Sequence, residues 1–489
     1  MASSIRVGSI VRVTGRLVLI ESLILLLPML VCIACGESDW RGFAVAAAAA
    51  GATGGCAELF AGRHRHTVRR REGFIITSVI WIVFALFGVI PFMMSARPLG
   101  FTDSMFEVIS GLTTTGASMM TDVEAQSHGI LFWRSLTQWI GGLGIILFML
   151  AVLPELNRAS GISMFEAEAT GITHDKLHPR IRQTSLSIWG VYVALTVADT
   201  ILLWAGPMDL FDSVCQAFAT IATGGFSTRN AGICYWQSDY VLVVTAVFMF
   251  LAGMNFAVMY NVSRHGLRSV ARNSVARGFT CVTGVAYVLL LVYVVASGQS
   301  RGMTAVQIIV YPVFHVISAI TSTGFSISAV EGWGPFALFV TVFLMLCGAC
   351  AGSTSGGIKI DRLLVLRTNL ANELRKTIFP KRTYVVRLNG SALDGSQTSR
   401  ITAFVSLYIL GVVISTGLIT LGGFTLTDAF FMVCSCMGCN GLGYGVTGAG
   451  GSYAFLPVAV KWLLTAVMLV GRLELFTFLV LFLPSFWRR

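Results

Sequence analysis

Four short stretches of this 489-residue chain reach a glycine through a run of small polar residues: SGLTTTGAS (110–118), ATIATGGFS (219–227), SAITSTGFS (318–326) and SCMGCNGLGYG (435–445). Aligned on Gly116, Gly224, Gly324 and Gly441, they recur at intervals of 108, 100 and 117 residues. Six residues before the glycine stand Ser110, Phe218, Ser318 and Ser435; one before it stand Thr115, Thr223, Thr323 and Asn440. Such a period marks an internal repeat of one structural unit. The chemistry open to that unit is cation dehydration. Where a short helix gives way to a glycine turn, backbone carbonyls lose their helical partners and can replace an ion's hydration shell. Glycine admits φ > 0, which turns a carbonyl toward an axis without a Cβ clash. The helix C-termini carry the negative end of the dipole and favour a cation. Thr115, Thr223 and Thr323 add oxygens just below. Small residues also let membrane helices pack closely. One copy would not separate packing from ion binding; four at one topological level favour a pore.

A second cluster follows the third unit. Seven of the ten residues from Gly348 to Gly357 are Gly, Ser or Thr. Each glycine costs a helix about 1 kcal/mol relative to alanine, so several together break or loosen the apolar run before them. In lipid, irregular backbone is tolerated only where it lines a cavity, and this stretch falls just below the third glycine turn. It is therefore a candidate gate, although a close-packing face of small residues would look similar. GSTSGGIK departs from the phosphate-loop pattern, because Ile358 separates Gly357 from Lys359 and no strand precedes it. Arg472, inside the last apolar run, is the sharpest intramembrane charge and a functional candidate, with snorkelling to the interface as the alternative. Glu474 is two residues on and does not share its face. Lys461 reads as a snorkelling residue near the outer end. Glu107 and His315 share one position in units one and three and read as hydrogen-bonded buried residues. His64/His66 and His174/His178 read as solvated loop histidines, and Cys434/Cys436/Cys439 lack a second pair for zinc. No catalytic constellation stands out.

The elements that must hold these residues are membrane helices. The chain is 55% hydrophobic and only 12% charged, where soluble proteins run about 25% charged. A soluble enzyme, a disordered chain and a fibrous repeat are all poor fits. Ten runs are long enough to span, at about 17–36, 42–61, 73–95, 130–153, 185–206, 238–262, 279–297, 335–358, 401–421 and 456–483. Of the 34 Lys and Arg, 27 fall on segments of one side and five on the other. By the positive-inside rule both termini are cytoplasmic. The net charge of +11 is thus topology plus contact with membrane lipid headgroups, and not a nucleic-acid footprint. Eleven cysteines, mostly within apolar runs, argue against a disulfide framework, and the N-terminus shows no removable signal peptide.

In these motifs the chain resembles the Trk/Ktr/HKT superfamily of potassium transporters, and the bacterial Trk branch most closely. TTTGAS, QWIGGLGIILFMLAVLP (138–154), ATGGFSTRN, AGMNF (252–256), GACAGSTSGGIKIDR (348–362) and GRLELFTFLVLF (471–482) carry the resemblance, in order and over nearly the whole chain. It implies an all-α polytopic fold of ten transmembrane helices. Residues 1–62 would form an N-terminal helix pair, and 63–160, 161–265, 266–378 and 379–489 four membrane–pore–membrane repeats around one ion path. The implied selectivity filter comprises Thr114, Thr115 and Gly116; Ala222, Thr223 and Gly224; Ser322, Thr323 and Gly324; and Cys439, Asn440 and Gly441. Glycine in all four goes with potassium in this superfamily, whereas serine in the first goes with sodium-preferring plant members. The fourth segment departs from the pattern at Cys439-Asn440, and Leu442 stands where many relatives carry proline. The implied gate is Gly348, Gly352, Ser353, Thr354, Ser355, Gly356, Gly357 and Lys359, with Arg472 facing the path. The resemblance also implies potassium ions in the filter with no covalent cofactor, a bacterial inner-membrane location, a homodimer, and a cytosolic nucleotide-binding regulatory subunit docking on the basic segments. A sodium-dependent Ktr-type transporter is the runner-up, against which the helix pair at 17–61 counts. A secondary transporter with a midplane site should show two halves, not four units.

Overall fold

The structure is a computed structural model and describes residues 5–61, 68–144, 181–266, 268–327, 330–448, 452–473 and 475–487. The histidine pairs at 64/66 and 174/178, the loop 154–180 and Glu474 lie outside the described residues. Helix dominates, with a single hairpin among the described residues in which Arg387–Leu388 pairs antiparallel with Ser391–Ala392. Among the described residues, six helices are long and apolar enough to cross a membrane: Val7–Ala34, Trp40–Phe60, Arg71–Met93, Gln183–Trp204, Ser274–Ala296 and Gly395–Thr420. Two bent pairs, Asp239–Ala252 with Phe256–Val262 and Val458–Arg472 with Leu475–Phe482, raise this to eight. Two expected spans remain. His128–Leu143 runs toward residues outside the described set, and Pro335–Cys347 stops where Gly348 turns to φ +64°. The first span also starts earlier than expected, at Val7, because the apolar face continues upstream of Leu17 through buried Val13.

Four shorter helices, Phe101–Leu112, Leu210–Ile221, Ala305–Ile320 and Leu426–Met437, stand where the sequence reading expects pore helices. Their starts are set by local chemistry. Asp209, Thr304 and Thr425 accept backbone N–H groups of the first turn, and Asp103, Asp212 and Asp428 place negative charge at the positive helix end. Each is buried over most of its length, which explains why serine, threonine and alanine replace an exposed polar face.

Their packing is cyclic. Leu210–Ile221 lies against His128–Leu143, Ala305–Ile320 against Asp239–Ala252, and Leu426–Met437 against Pro335–Cys347. Phe101–Leu112 closes the circuit against Val458–Arg472, more than 340 residues away in sequence. Every pore helix thus touches the inner helix of the preceding unit. The N-terminal helices Val7–Ile24 and Trp40–Phe60 pack on each other and on the outer helix Arg70–Met93. Glu58 ties the pair by accepting from Arg12 (3.3 Å) and Arg16 (2.8 Å).

Candidate functional site

All four pore helices end alike. The cap residue is followed by one in the left-handed region: Thr114 (φ 56°), Thr223 (φ 52°), Ser322 (φ 59°) and Cys439 (φ 51°). The next residue returns its N–H to the last turn, Thr115 to Ser110 O (2.8 Å), Gly224 to Ala219 O (2.8 Å), Thr323 to Ser318 O (3.0 Å) and Asn440 to Ser435 O (2.8 Å). This is the Schellman closure, which normally recruits glycine at the left-handed position. Here it holds a threonine twice, a serine and a cysteine, a conformation that β-branched residues rarely adopt. One residue later comes a glycine at positive φ: Gly116 (81°), Gly225 (79°), Gly324 (81°) and Gly441 (74°).

That pattern corrects the alignment of the second unit. The equivalent of Gly116 is Gly225, not Gly224; Gly224 stands where Thr115, Thr323 and Asn440 stand, and Thr223 matches Thr114. Two adjacent glycines hide the offset in sequence, and only the helix-end geometry resolves it. The correction makes Ala219 the counterpart of Ser110 and Gln216 that of Glu107 and His315.

The four glycines lie against one another's neighbours in a ring. A Cβ on Gly116 would strike the carbonyl oxygen of Gly224, one on Gly225 that of Thr323, one on Gly324 that of Asn440, and one on Gly441 that of Thr115. Unit one meets two, two meets three, three meets four, and four returns to one. The carbonyls of Thr115, Gly224, Thr323 and Asn440 therefore stand at one level, at the negative ends of four helices.

Side chains both inside and outside the glycine motifs brace this ring. Gln138, on His128–Leu143, donates Nε2 to Gly224 O (2.6 Å) and accepts from Phe226 N–H (3.2 Å). Ser318 Oγ donates to Phe325 O (2.7 Å), Ser435 Oγ to Leu442 O (2.8 Å), and Asn440 Nδ2 to Ala319 O (2.8 Å). Glu107 and His315 are buried and bonded, as their shared position suggested. Glu107 pairs with Arg134 at 2.8 Å and accepts from Ser118 Oγ and Met119 N–H, while His315 meets Thr341 Oγ1 at 2.8 Å. Arg134 also donates to Ser227 O (3.1 Å), joining the first two segments. Gln138 and Arg134 carried no functional signal in sequence, since each partner lies in another element. Lys461 departs from the expected snorkelling: its side chain is 8% exposed and pairs with Asp103 at 2.6 Å.

Residues 348–359 form an irregular turn that closes on itself. Ile358 N–H bonds Leu346 O (3.0 Å) and Lys359 N–H bonds Cys347 O (2.8 Å), so the chain returns to where the helix stopped. Thr354, fully buried, accepts from Thr223 Oγ1 (3.0 Å) and reaches Ile221 O (3.2 Å). Gly356 lies so close to Gly438 O that no Cβ fits between them. The stretch therefore bridges the second and fourth helix ends, extending beyond its expected level under the third. Ser353 and Ser355 bond each other (3.0 Å), and Ser355 Oγ accepts from Ala349 N–H (3.3 Å). Arg472 donates to Thr354 O (2.6 Å), Gly141 O (2.6 Å) and Gly142 O (2.7 Å). It pins the turn to the end of His128–Leu143. A cavity on the far side is lined by Ser353, Ser355, Gly356, Lys359 and Arg472. Among the described residues, no group of three or more His, Cys, Asp or Glu could hold a metal ion.

Comparison with known proteins bears on this arrangement. The family model described as "TrkH: Cation transport protein" matches residues 43–489. The chain is 36% identical over 488 residues to the "Trk system potassium uptake protein TrkH" of Escherichia coli (strain K12), covering 98% of this chain and 99% of that one. It is 30% identical over 480 residues to "Trk system potassium uptake protein TrkG" of the same organism, covering 97% of each. The solved "Potassium Transporter TrkH from Vibrio parahaemolyticus" superposes with TM-score 0.89 at 28% identity, covering 99% of this chain and all of that one.

Proposed function

This chain belongs to the TrkH family of cation transport proteins, and from that premise we propose that it is the membrane subunit of a bacterial Trk system and takes up potassium. The observation that carries the site assignment is the closed circuit of glycine-to-carbonyl contacts. Four unit ends built this way can offer a dehydrated ion one ring of oxygens. In this reading ten spans and four membrane–pore–membrane units surround a single path. Thr114–Ala117, Thr223–Phe226, Ser322–Phe325 and Cys439–Leu442 form the filter, in which potassium is the cargo. The turn at 348–359, held by Arg472, obstructs the path on the basic side until it moves. With both termini cytoplasmic, the basic segment 359–400 faces the cytosol and offers a docking surface to a regulatory nucleotide-binding partner. The membrane subunit itself pairs as a homodimer.

The test is ion flux into vesicles carrying the purified full-length protein. Potassium should enter in preference to sodium. Equal entry of both ions, or uptake only when a proton or sodium gradient drives it, would remove the filter reading.

A further inference from the structure

The inner helix of the second unit breaks at Ala252–Asn255, and its arms Asp239–Ala252 and Phe256–Val262 meet at 103°. Asn255 makes the break. Its Oδ1 accepts from Ala257 N–H (2.8 Å) and Val258 N–H (3.2 Å) and starts the second arm, while Nδ2 donates to Ala351 O (2.8 Å). The second arm therefore leaves the pore helices and forms a shelf on Arg268–Arg272, which packs in turn on Ser274–Ala296. Between shelf and helix lies a groove walled by Leu251, Met254, Met259, Val262 and Val270. Arg277 lines it from Ser274–Ala296, and Cys281 lines it one turn further along the same face.

Three features say what chemistry fills this groove. Its wall is apolar and rich in methionine, which moulds to flexible chains. Its charge is of one sign: residues 240–330 contain no Asp or Glu at all, Arg277 lines the groove, and Arg268 and Arg272 flank the lining residues Val270 and Ala271 in sequence. None of the ion pairs found among the described residues uses these three arginines. Finally, the groove opens along Cys281 onto Val285, Val288 and Val292, an exposed apolar stripe at helical spacing. An apolar slot that runs into such a stripe, with a guanidinium near its basic end, suits an amphiphile carrying one negative charge.

We propose that the groove is a binding site for an anionic phospholipid. One acyl chain lies against Met254, Met259 and Val262, and the phosphodiester takes Arg277, whose planar fork matches two phosphate oxygens. Arg268 and Arg272 add the surrounding field. The proposal rests on the membrane-spanning reading but not on the filter or on potassium.

The experiment uses full-length protein in detergent, with 1-palmitoyl-2-oleoyl phosphatidylglycerol and the matching phosphatidylcholine as probes. Native mass spectrometry should show phosphatidylglycerol retained about fivefold over phosphatidylcholine, the preference expected for one basic contact at a lipid surface. Arg277→Gln should remove the preference, and Met259→Trp, which fills the groove, should remove retention of both lipids. In wild type, phosphatidylglycerol should slow alkylation of Cys281 by N-ethylmaleimide, mapped by peptide mass spectrometry. Size-exclusion profiles establish that the variants remain folded. Equal retention of the two lipids, an unchanged preference in Arg277→Gln, or unprotected Cys281 would overturn the proposal. So would a Met259→Trp variant that retains lipid but dissociates a dimer, since the groove would then hold a second copy of the chain.

Discussion

At the scale of single residues, the two adjacent glycines of the second unit do different work. Gly225 has φ +79° and abuts the backbone oxygen of Thr323, whereas Gly224 faces the end of the Gln138 side chain. Alanine at 225 meets a left-handed penalty of about 1–2 kcal/mol as well as an immovable carbonyl. Gly225→Ala should therefore lower potassium flux by roughly tenfold or more, while Gly224→Ala should be milder because Gln138 can shift. The flux assay decides it, and equal losses would return the unit to the alignment on Gly224. The Glu107–Arg134 pair makes a second case. Its side chains are almost wholly buried, Glu107 0% and Arg134 3% exposed, so removing one partner leaves an uncompensated charge. Glu107→Gln should destabilise the fold by about 3–5 kcal/mol, and Glu107→Gln with Arg134→Met should recover much of that. Thermal unfolding of the detergent-solubilised protein measures both; additive losses would mean the two residues act separately.

At the scale of elements, the turn at 348–359 is held from several sides, but one side chain spans its contact with another unit. Arg472 reaches Thr354 O on the turn and Gly141 O and Gly142 O on the first inner helix. Hydrogen bonds from a charged donor contribute about 1.5–3 kcal/mol each. Arg472→Ala should raise basal potassium flux about tenfold if the turn obstructs the path, since even one lost bond shifts an opening equilibrium by that factor. Unchanged or reduced flux in folded protein would argue that Arg472 stabilises structure without restraining the turn. Part of this element was legible in advance. Seven Gly, Ser and Thr residues among the ten from Gly348 to Gly357 predict that a helix cannot continue, and Pro335–Cys347 does end there. Which elements the turn then touches was not, because Thr354 meets Thr223 across 131 residues and no local pattern records that distance. The break at Asn255 was missed for a related reason. Apolar residues flank it on both sides, and its cause is a side chain capping a new helix while bonding Ala351.

At the scale of the whole molecule, the circuit of pore helices is matched by a belt of loop contacts on the side carrying the glycine ring. Tyr453 N–H bonds Ser118 O (2.8 Å) between the fourth and first units, and Cys234 Sγ reaches Ile327 O (3.2 Å) between the second and third. The first and second are joined through Asn230, whose Oδ1 accepts from Val123 N–H (2.7 Å) and whose Nδ2 donates to Asp122 (2.9 Å). The cyclic order follows from a repeat visible in sequence, whereas the belt does not, because its members are loop residues of differing type. Among these contacts, the Asp122 link titrates in the acid range. The hydrogen bond from Asn230 holds its carboxyl below the usual carboxylate range, against a smaller opposing cost of desolvation, with Ala125 N–H and Arg97 assisting. A carboxylate with a lowered folded pKa contributes fully above its unfolded value of about 4, and that contribution disappears as pH falls through the folded value. Asp122→Asn should therefore unfold at a lower temperature than wild type by a constant margin between pH 5 and 7. The margin should shrink below pH ~4, as the wild-type carboxyl takes up its proton. Thermal unfolding of both proteins across that range provides the measurement, and a margin independent of pH would show that the seam between the first two units does not depend on the charge of Asp122.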